Sequence, residues 1–209
     1  MSIYLFDFDG TLVDSMDTYV GVMLSILDKN AIKYEKDIVR IITPLGYLGT
    51  AKYFIELGVP GAVDELVKEM RENMVYEYTN NICEKPNVIM TIKALYKRGD
   101  SLNVLTASPH ATLDPCLKRL GLFDLFDNVW SCDDFNTTKA DPEIYKMAAE
   151  KIGASVKDII FLDDNFNALT TAKSAGMSVY GVYDKSSDEY TEDIKAISDR
   201  YISDFKELI

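Results

Sequence analysis

Basic residues are scarce in this chain of 209 residues: 22 Lys and Arg stand against 34 Asp and Glu, a net charge of −12. That balance argues against a nucleic-acid partner, because gripping a phosphate backbone depends on patches of Lys and Arg. Long apolar runs are missing as well. No stretch of about 18 apolar residues occurs, so no transmembrane helix is expected. The first six residues are too short for a signal peptide and lack its charged leader. Cysteine is limited to Cys83, Cys116 and Cys132, an odd number without metal-ligand spacing. They read as reduced, incidental residues of a cytoplasmic protein. Histidine occurs once, as His110, and reads as a surface or capping residue, with substrate contact as the second reading. Repeats and low-complexity tracts are absent. What remains is an ordinary globular composition, with enough length for one substantial core and a small satellite domain.

The densest chemistry lies near the start, in Asp7-Phe8-Asp9-Gly10-Thr11-Leu12-Val13-Asp14-Ser15. The apolar run Ile3, Tyr4, Leu5, Phe6 predicts a strand that delivers two aspartates at spacing i, i+2. Alternate side chains on an extended backbone point the same way, so Asp7 and Asp9 are expected to share one space. Two carboxylates held so close repel unless a cation sits between them or one is protonated. A turn is the plain reading of Asp-Gly after a strand. The chemical readings are a divalent metal site, an acid/base pair, or both.

Three further polar clusters also follow apolar runs. Leu102–Leu105 leads into Thr106-Ala107-Ser108, Lys139 lies in a polar segment before Pro142, and Ile159-Ile160-Phe161-Leu162 leads into Asp163-Asp164-Asn165. In an open parallel sheet, strand C-termini share one edge, and ligands bind in the crevice there. A hydroxyl, an ammonium and four carboxylates on one edge would suit a phosphate and a divalent cation. Ser108 and Asn165 read as helix caps or supports.

Between these clusters the pattern alternates. Residues 16–82 place apolar side chains at helical spacing, with Val20, Met23, Leu24 and Leu27 on one face and Leu66, Val67, Met70 and Met74 on another. Pro44 and Pro60 act as breakers, and residues 46–52 read as a substrate-facing loop. Beyond this stretch, helices at 88–98, from about 111 and up to 175, and a βα unit at 139–152, alternate with strands at 102–106, 128–130, 159–162, 178–182 and near 201–202. Residues 184–193 read as a loop leading into a solvated helix. The expected fold is α/β, a doubly wound parallel sheet of Rossmann-like kind, with core 1–15 and 83–209 and an inserted all-α domain at 16–82.

In the order and spacing of these motifs the chain resembles the haloacid dehalogenase-like hydrolase superfamily, in the helical-cap branch that includes β-phosphoglucomutase-like enzymes. Residues 7–15 resemble the first motif, Thr106 the second, Lys139 the third and Asp163-Asp164 the fourth, whose tail is Ala172-Lys173-Ser174-Ala175-Gly176-Met177. The resemblance implies that Asp7 is the nucleophile and Asp9 the general acid and base. It implies Mg²⁺ on the Asp7 carboxylate, the Asp9 carbonyl and Asp164. Thr106, the backbone at Ala107 and Lys139 would hold phosphate. Where many relatives carry an Asp four residues after the main metal ligand, this chain has Ala168, which leaves Asp163 as the second acidic group.

Relatives that cleave carbon–halogen or carbon–phosphorus bonds lack an aspartate two residues after the nucleophile. Asp9 therefore favours an alkoxide leaving group, which must be protonated. The reading is a Mg²⁺-dependent phosphatase of a small phosphorylated metabolite, with the links at 15–19 and 80–87 as hinges of the cap. A sugar phosphomutase is the alternative, disfavoured because the cap has no arginine between Arg40 and Arg71 to hold a second phosphate. A non-catalytic binding module is the third reading. Oligomeric state is not legible.

Overall fold

Short apolar runs rich in β-branched and aromatic residues form the strands, and amphipathic segments form the helices between them. A computed structural model describes residues 1–35, 37–42 and 45–209; Pro44, read as a breaker, lies outside the described residues. In chain order the elements are β1 (Ile3–Phe6), α1 (Met16–Lys29), α2 (Ile38–Ile42), α3 (Gly46–Glu56), α4 (Val63–Asn80), α5 (Val88–Arg98), β2 (Ser101–Thr106), α6 (His110–Arg119) and β3 (Asn128–Ser131). They continue with α7 (Glu143–Ile152), β4 (Ile159–Asp163), α8 (Phe166–Ala175), β5 (Ser178–Val182), α9 (Thr191–Ile197) and β6 (Arg200–Ile202). The chain divides into two compact units, Met1–Asp14 with Ile82–Ile209, and Ser15–Asn81.

The first unit is a six-stranded sheet in the order β3-β2-β1-β4-β5-β6, every pair parallel. The fold is α/β and Rossmann-like, as the alternation of strands and helices predicts. Its strand order reverses direction between β1 and β4, which makes the gap beyond their C-terminal ends the crevice where such sheets bind ligands. Leu5 and Phe6 of β1 and Phe161 and Leu162 of β4 are fully buried, as expected of central strands covered on both faces. Helices α7 and α8 close one core, where Ile144, Tyr145, Ala148, Leu169 and Ala172 meet Leu5, Phe161 and Val179. In β5, Gly181 leaves the space that Ile194 of α9 fills; a side chain there would collide with it.

Among the described residues of the second unit the regular elements are all helices, α1 to α4. Its interior is Met23, Ile26 and Leu27 of α1, Ala51 and Phe54 of α3, and Leu66, Met70 and Met74 of α4. Two sequence expectations change. Residues 46–52 are the first turns of α3 rather than a loop, because Thr50, Ala51 and Phe54 form a buried stripe that only a helix can present. The 184–193 segment is also more ordered than a polar loop. Asp184 is buried, a 3₁₀ turn spans Lys185–Tyr190, and α9 follows with Ile194 inside. Among the described residues no helix is long and apolar enough to cross a membrane.

Candidate active site

The register of the central strands sets the site. Phe6 of β1 pairs with Leu162 of β4, and the Asp7 N–H continues the ladder to the Leu162 carbonyl at 2.8 Å. One step further along both strands, Asp7 and Asp163 therefore leave the sheet side by side, with Asp164 next. Ligand oxygens of Asp7, Asp163 and Asp164 lie within 4.8 Å of one another, and all three residues are buried. Lys139 reaches in from the segment before α7. Its ammonium donates to Asp7 Oδ1 at 2.6 Å and to Asp163 Oδ2 at 2.7 Å. The lysine is thus part of the cluster and not a solvated loop residue.

Three buried carboxylates share one ammonium, and the imbalance shows in their proton affinities. Burial raises the Asp7 carboxyl well above the usual range; Lys139 opposes the rise, and Asp163, Asp164 and Asp9 add to it. Asp164 is pushed up to about 7 by burial first, then by Asp163 and Asp184, against Lys139 and Lys85. Burial works against the Lys139 charge, yet Asp163 and Asp7 outweigh it and hold the ammonium firmly protonated. Surplus negative charge among oxygen donors is what a hard divalent cation relieves, so these residues could hold a metal ion.

The loop after β1 is built around glycine. Gly10 has φ of +73°, a left-handed conformation that side chains disfavour, and a Cβ there would stand 2.7 Å from the Asp164 carboxylate. Only glycine lets the loop lie against that aspartate. Asp9 does not join the mutual cluster. Strand β1 ends at Phe6, so the alternation expected to align Asp9 with Asp7 stops before the turn. The Asp9 Oδ2 instead accepts from Ser108 Oγ at 2.5 Å. Ser108 is tied in turn to the end of β2, its N–H donating to Thr106 Oγ1 at 3.1 Å. Thr106 is buried and Ala107 exposed at that strand end.

The other oxygen of Asp163 accepts the Asn165 N–H at 2.7 Å. Asn165 caps α8, taking the N–H groups of Asn167 and Ala168. His110 starts α6 and is gripped by Asp114 at 2.7 Å and Asp134 at 2.9 Å. Sequence reasoning missed four groups. Tyr145 donates to the carbonyls of Lys139 and Ala168, both at 3.1 Å, fixing the segment that carries the lysine. Ser187 donates to Asp164 at 3.1 Å, and Lys85 and Asp184 form a buried ion pair at 2.9 Å. Tyr145 sits in an ordinary helical stripe and the others in polar loops, so no local pattern marks them.

The profile of the haloacid dehalogenase-like hydrolases matches residues 4–182, from the first strand through the last residue of β5. The chain belongs to the haloacid dehalogenase-like hydrolase family. It is an enzyme of the phosphatase kind. Among its relatives is the pyrophosphatase PpaX of Bacillus velezensis, 28% identical over 180 residues, covering 85% of this chain and 81% of that protein. A phosphorylated carbohydrates phosphatase of Thermotoga maritima is 24% identical over 184 residues, covering 87% and 85%. A crystal structure of a protein predicted to be a phosphoglycolate phosphatase, from Haemophilus somnus, superposes with a TM-score of 0.82. It is 23% identical, covering 100% of this hydrolase and 96% of that chain, and shares its fold.

Proposed function

We propose that this hydrolase is a Mg²⁺-dependent phosphatase that releases phosphate from a small phosphorylated metabolite through a phosphorylated Asp7. The observation that carries the reading is the Lys139 ammonium joining Asp7 to Asp163 with Asp164 alongside. One ammonium leaves three carboxylates and a phosphate dianion with a large excess of negative charge, and a divalent ion would remove a further two charges of that excess. Asp7, Asp164 and the Asp9 carbonyl would hold Mg²⁺, with Asp163 as the further acidic group. The ion would supply charge neutralisation for phosphate and nucleophile.

In this mechanism an Asp7 oxygen attacks phosphorus, and the P–O bond to the leaving group breaks. Asp9 gives its proton to the departing alkoxide. It then takes a proton from the water that attacks the aspartyl phosphate, and Asp7 and inorganic phosphate are regenerated. Lys139 opposes the burial that raises the Asp7 carboxyl and offers a point charge to the phosphate. Thr106 and the backbone at Ala107 would hold the remaining oxygens. Ser108, bonded to Asp9, keeps the acid close to the second strand end. The helical unit is the cap in this reading, with its links at 15–19 and 80–87 acting as hinges. The named activities of the relatives support a phosphorylated small molecule as substrate.

The test is phosphate release from a panel of sugar phosphates, phosphorylated acids and pyrophosphate, with and without Mg²⁺. Asp7→Asn is expected to lose activity by about 10³-fold or more while keeping its fold. An Asp7→Asn enzyme as active as the parent would sink the mechanism. Isomerisation of a sugar phosphate outpacing phosphate release would instead make the protein a mutase.

A further inference from the structure

Beside Asp164 lies a layer of polar groups that no motif above includes. Lys85 is the centre of it, with a side chain only 13% exposed. Its ammonium donates to the Gly10 carbonyl at 2.7 Å, to Asp184 Oδ2 at 2.9 Å and to the Tyr183 carbonyl. Three donors meet three acceptors, so the head group is fully paired and fixed. Asp184 is equally constrained. Its second oxygen accepts the Ser186 N–H at 2.9 Å and the Ser186 hydroxyl at 2.6 Å, which closes the turn after β5. The next residue in that turn is Ser187, whose hydroxyl donates to Asp164 Oδ2.

Gly10 and Ser187 both border the Asp164 carboxylate, and Lys85 anchors the segment that carries each. The ammonium holds the Gly10 carbonyl directly and the Ser187 turn through Asp184 and Tyr183. A positive charge near a cation site disfavours the cation by simple electrostatics. Any benefit of Lys85 to metal binding must therefore come from geometry, and this fixes the sign of the test.

We propose that Lys85, Asp184 and Ser187 are positioning residues that hold Asp164 in the orientation that binds the divalent ion. They set metal affinity more than turnover. The proposal rests on the reading of Asp164 as a metal ligand. Partners of metal ligands are commonly worth about 10- to 100-fold in affinity.

The decisive measurement is calorimetric titration of Mg²⁺ into the metal-free parent, Lys85→Met and Ser187→Ala, each checked for folding by circular dichroism. Ser187→Ala is expected to bind Mg²⁺ about three- to tenfold more weakly, the loss of one hydrogen bond. Lys85→Met is expected to bind about tenfold more weakly or worse. Raising Mg²⁺ to saturation should restore part of the turnover that Ser187→Ala loses at low Mg²⁺. A purely structural brace would lower the melting temperature and leave the affinity of the folded protein unchanged, which would overturn the proposal. So would tighter binding by Lys85→Met, since its charge would then act only by repulsion. If Lys85→Met does not fold, Ser187→Ala decides alone. A parent that binds no Mg²⁺ removes the metal reading itself, and this inference with it.

Discussion

The helical unit buries Met23, Leu27, Phe54, Met70 and Met74, and among its described residues no carboxylate, lysine or arginine is buried. The α/β unit buries Asp7, Asp100, Asp163, Asp164 and Asp184, and nearly buries Lys139 and Lys85. Both units have an apolar core, so the difference is not one of folding strategy. Desolvating a charge is costly unless it is paired, and in the α/β unit the carboxylates outnumber the ammonium groups they share. The helical unit carries no such burden. Buried charge left in surplus marks the part of the molecule shaped by chemistry.

That contrast can be broken at its strongest point, the close approach of Gly10 to Asp164. Gly10→Ala forces both a disfavoured φ and a displaced carboxylate. We expect phosphatase activity to fall about 100-fold or more, as for a misplacement near 1 Å at a reacting centre. Activity near the parent's would mean that this contact does not shape the site.

The helical unit offers the converse test. Phe54→Ala empties a fully buried site and should cost about 3–5 kcal/mol of stability, seen as a lower melting temperature. Its Mg²⁺ affinity, measured below the transition, should equal the parent's, because every proposed ligand lies in the α/β unit. A changed affinity would blur the division of labour.

The surplus charge itself predicts an unusual gain. Asp164 has a raised carboxyl in the folded state, so the folded chain binds more protons than the unfolded one. Its contribution is present below the ordinary carboxylate range and is lost as pH rises toward about 7. At pH 8 without metal, Asp164→Asn should therefore melt about 4 °C or more above the parent. Mg²⁺ should reverse the order by stabilising the parent alone. A metal-free Asp164→Asn protein no more stable than its parent would deny the strain.

The smallest effect belongs to His110, a charge pair outside the cluster. The Asp114 bond is the largest cause of its raised pKa; partial burial opposes the rise, and Asp134 adds to it. A raised histidine stabilises fully below its unfolded value and ceases to do so as pH rises through its folded value. His110→Asn should melt about 1–2 °C below the parent at pH 6, with the gap closing in alkaline buffer. A gap independent of pH would show that packing, not charge, is what His110 supplies.

Much of this was open to reading along the chain. The short apolar runs at β1, β2, β4 and β5 declare buried parallel strands, and Gly99, Gly153 and Gly176 stop the helices where left-handed caps stand in the structure. Asp7, Lys139, Asp163 and Asp164 stood out because each polar group follows an apolar run or sits in a recognisable motif. Residues 46–52 misled, because two glycines in seven residues look like a loop until Phe54 and Ala51 find a core. Lys85, Asp184 and Ser187 were invisible for another reason. A polar residue in a polar segment gives no local sign of burial, and burial is what gives these three their partners.

Local periodicity, read from the sequence alone, determined where the core strands and most helices form and that an acidic loop follows the first strand. Tertiary structure decided which of 34 acidic residues meet, and which lysine joins them. Lys139 pairs with Asp7 across 132 positions and Thr11 touches Asp164 across 153. Parallel strands need a crossover between each pair, so groups that share the C-terminal edge of the sheet are necessarily distant in the chain. Their charges couple only after that edge has formed.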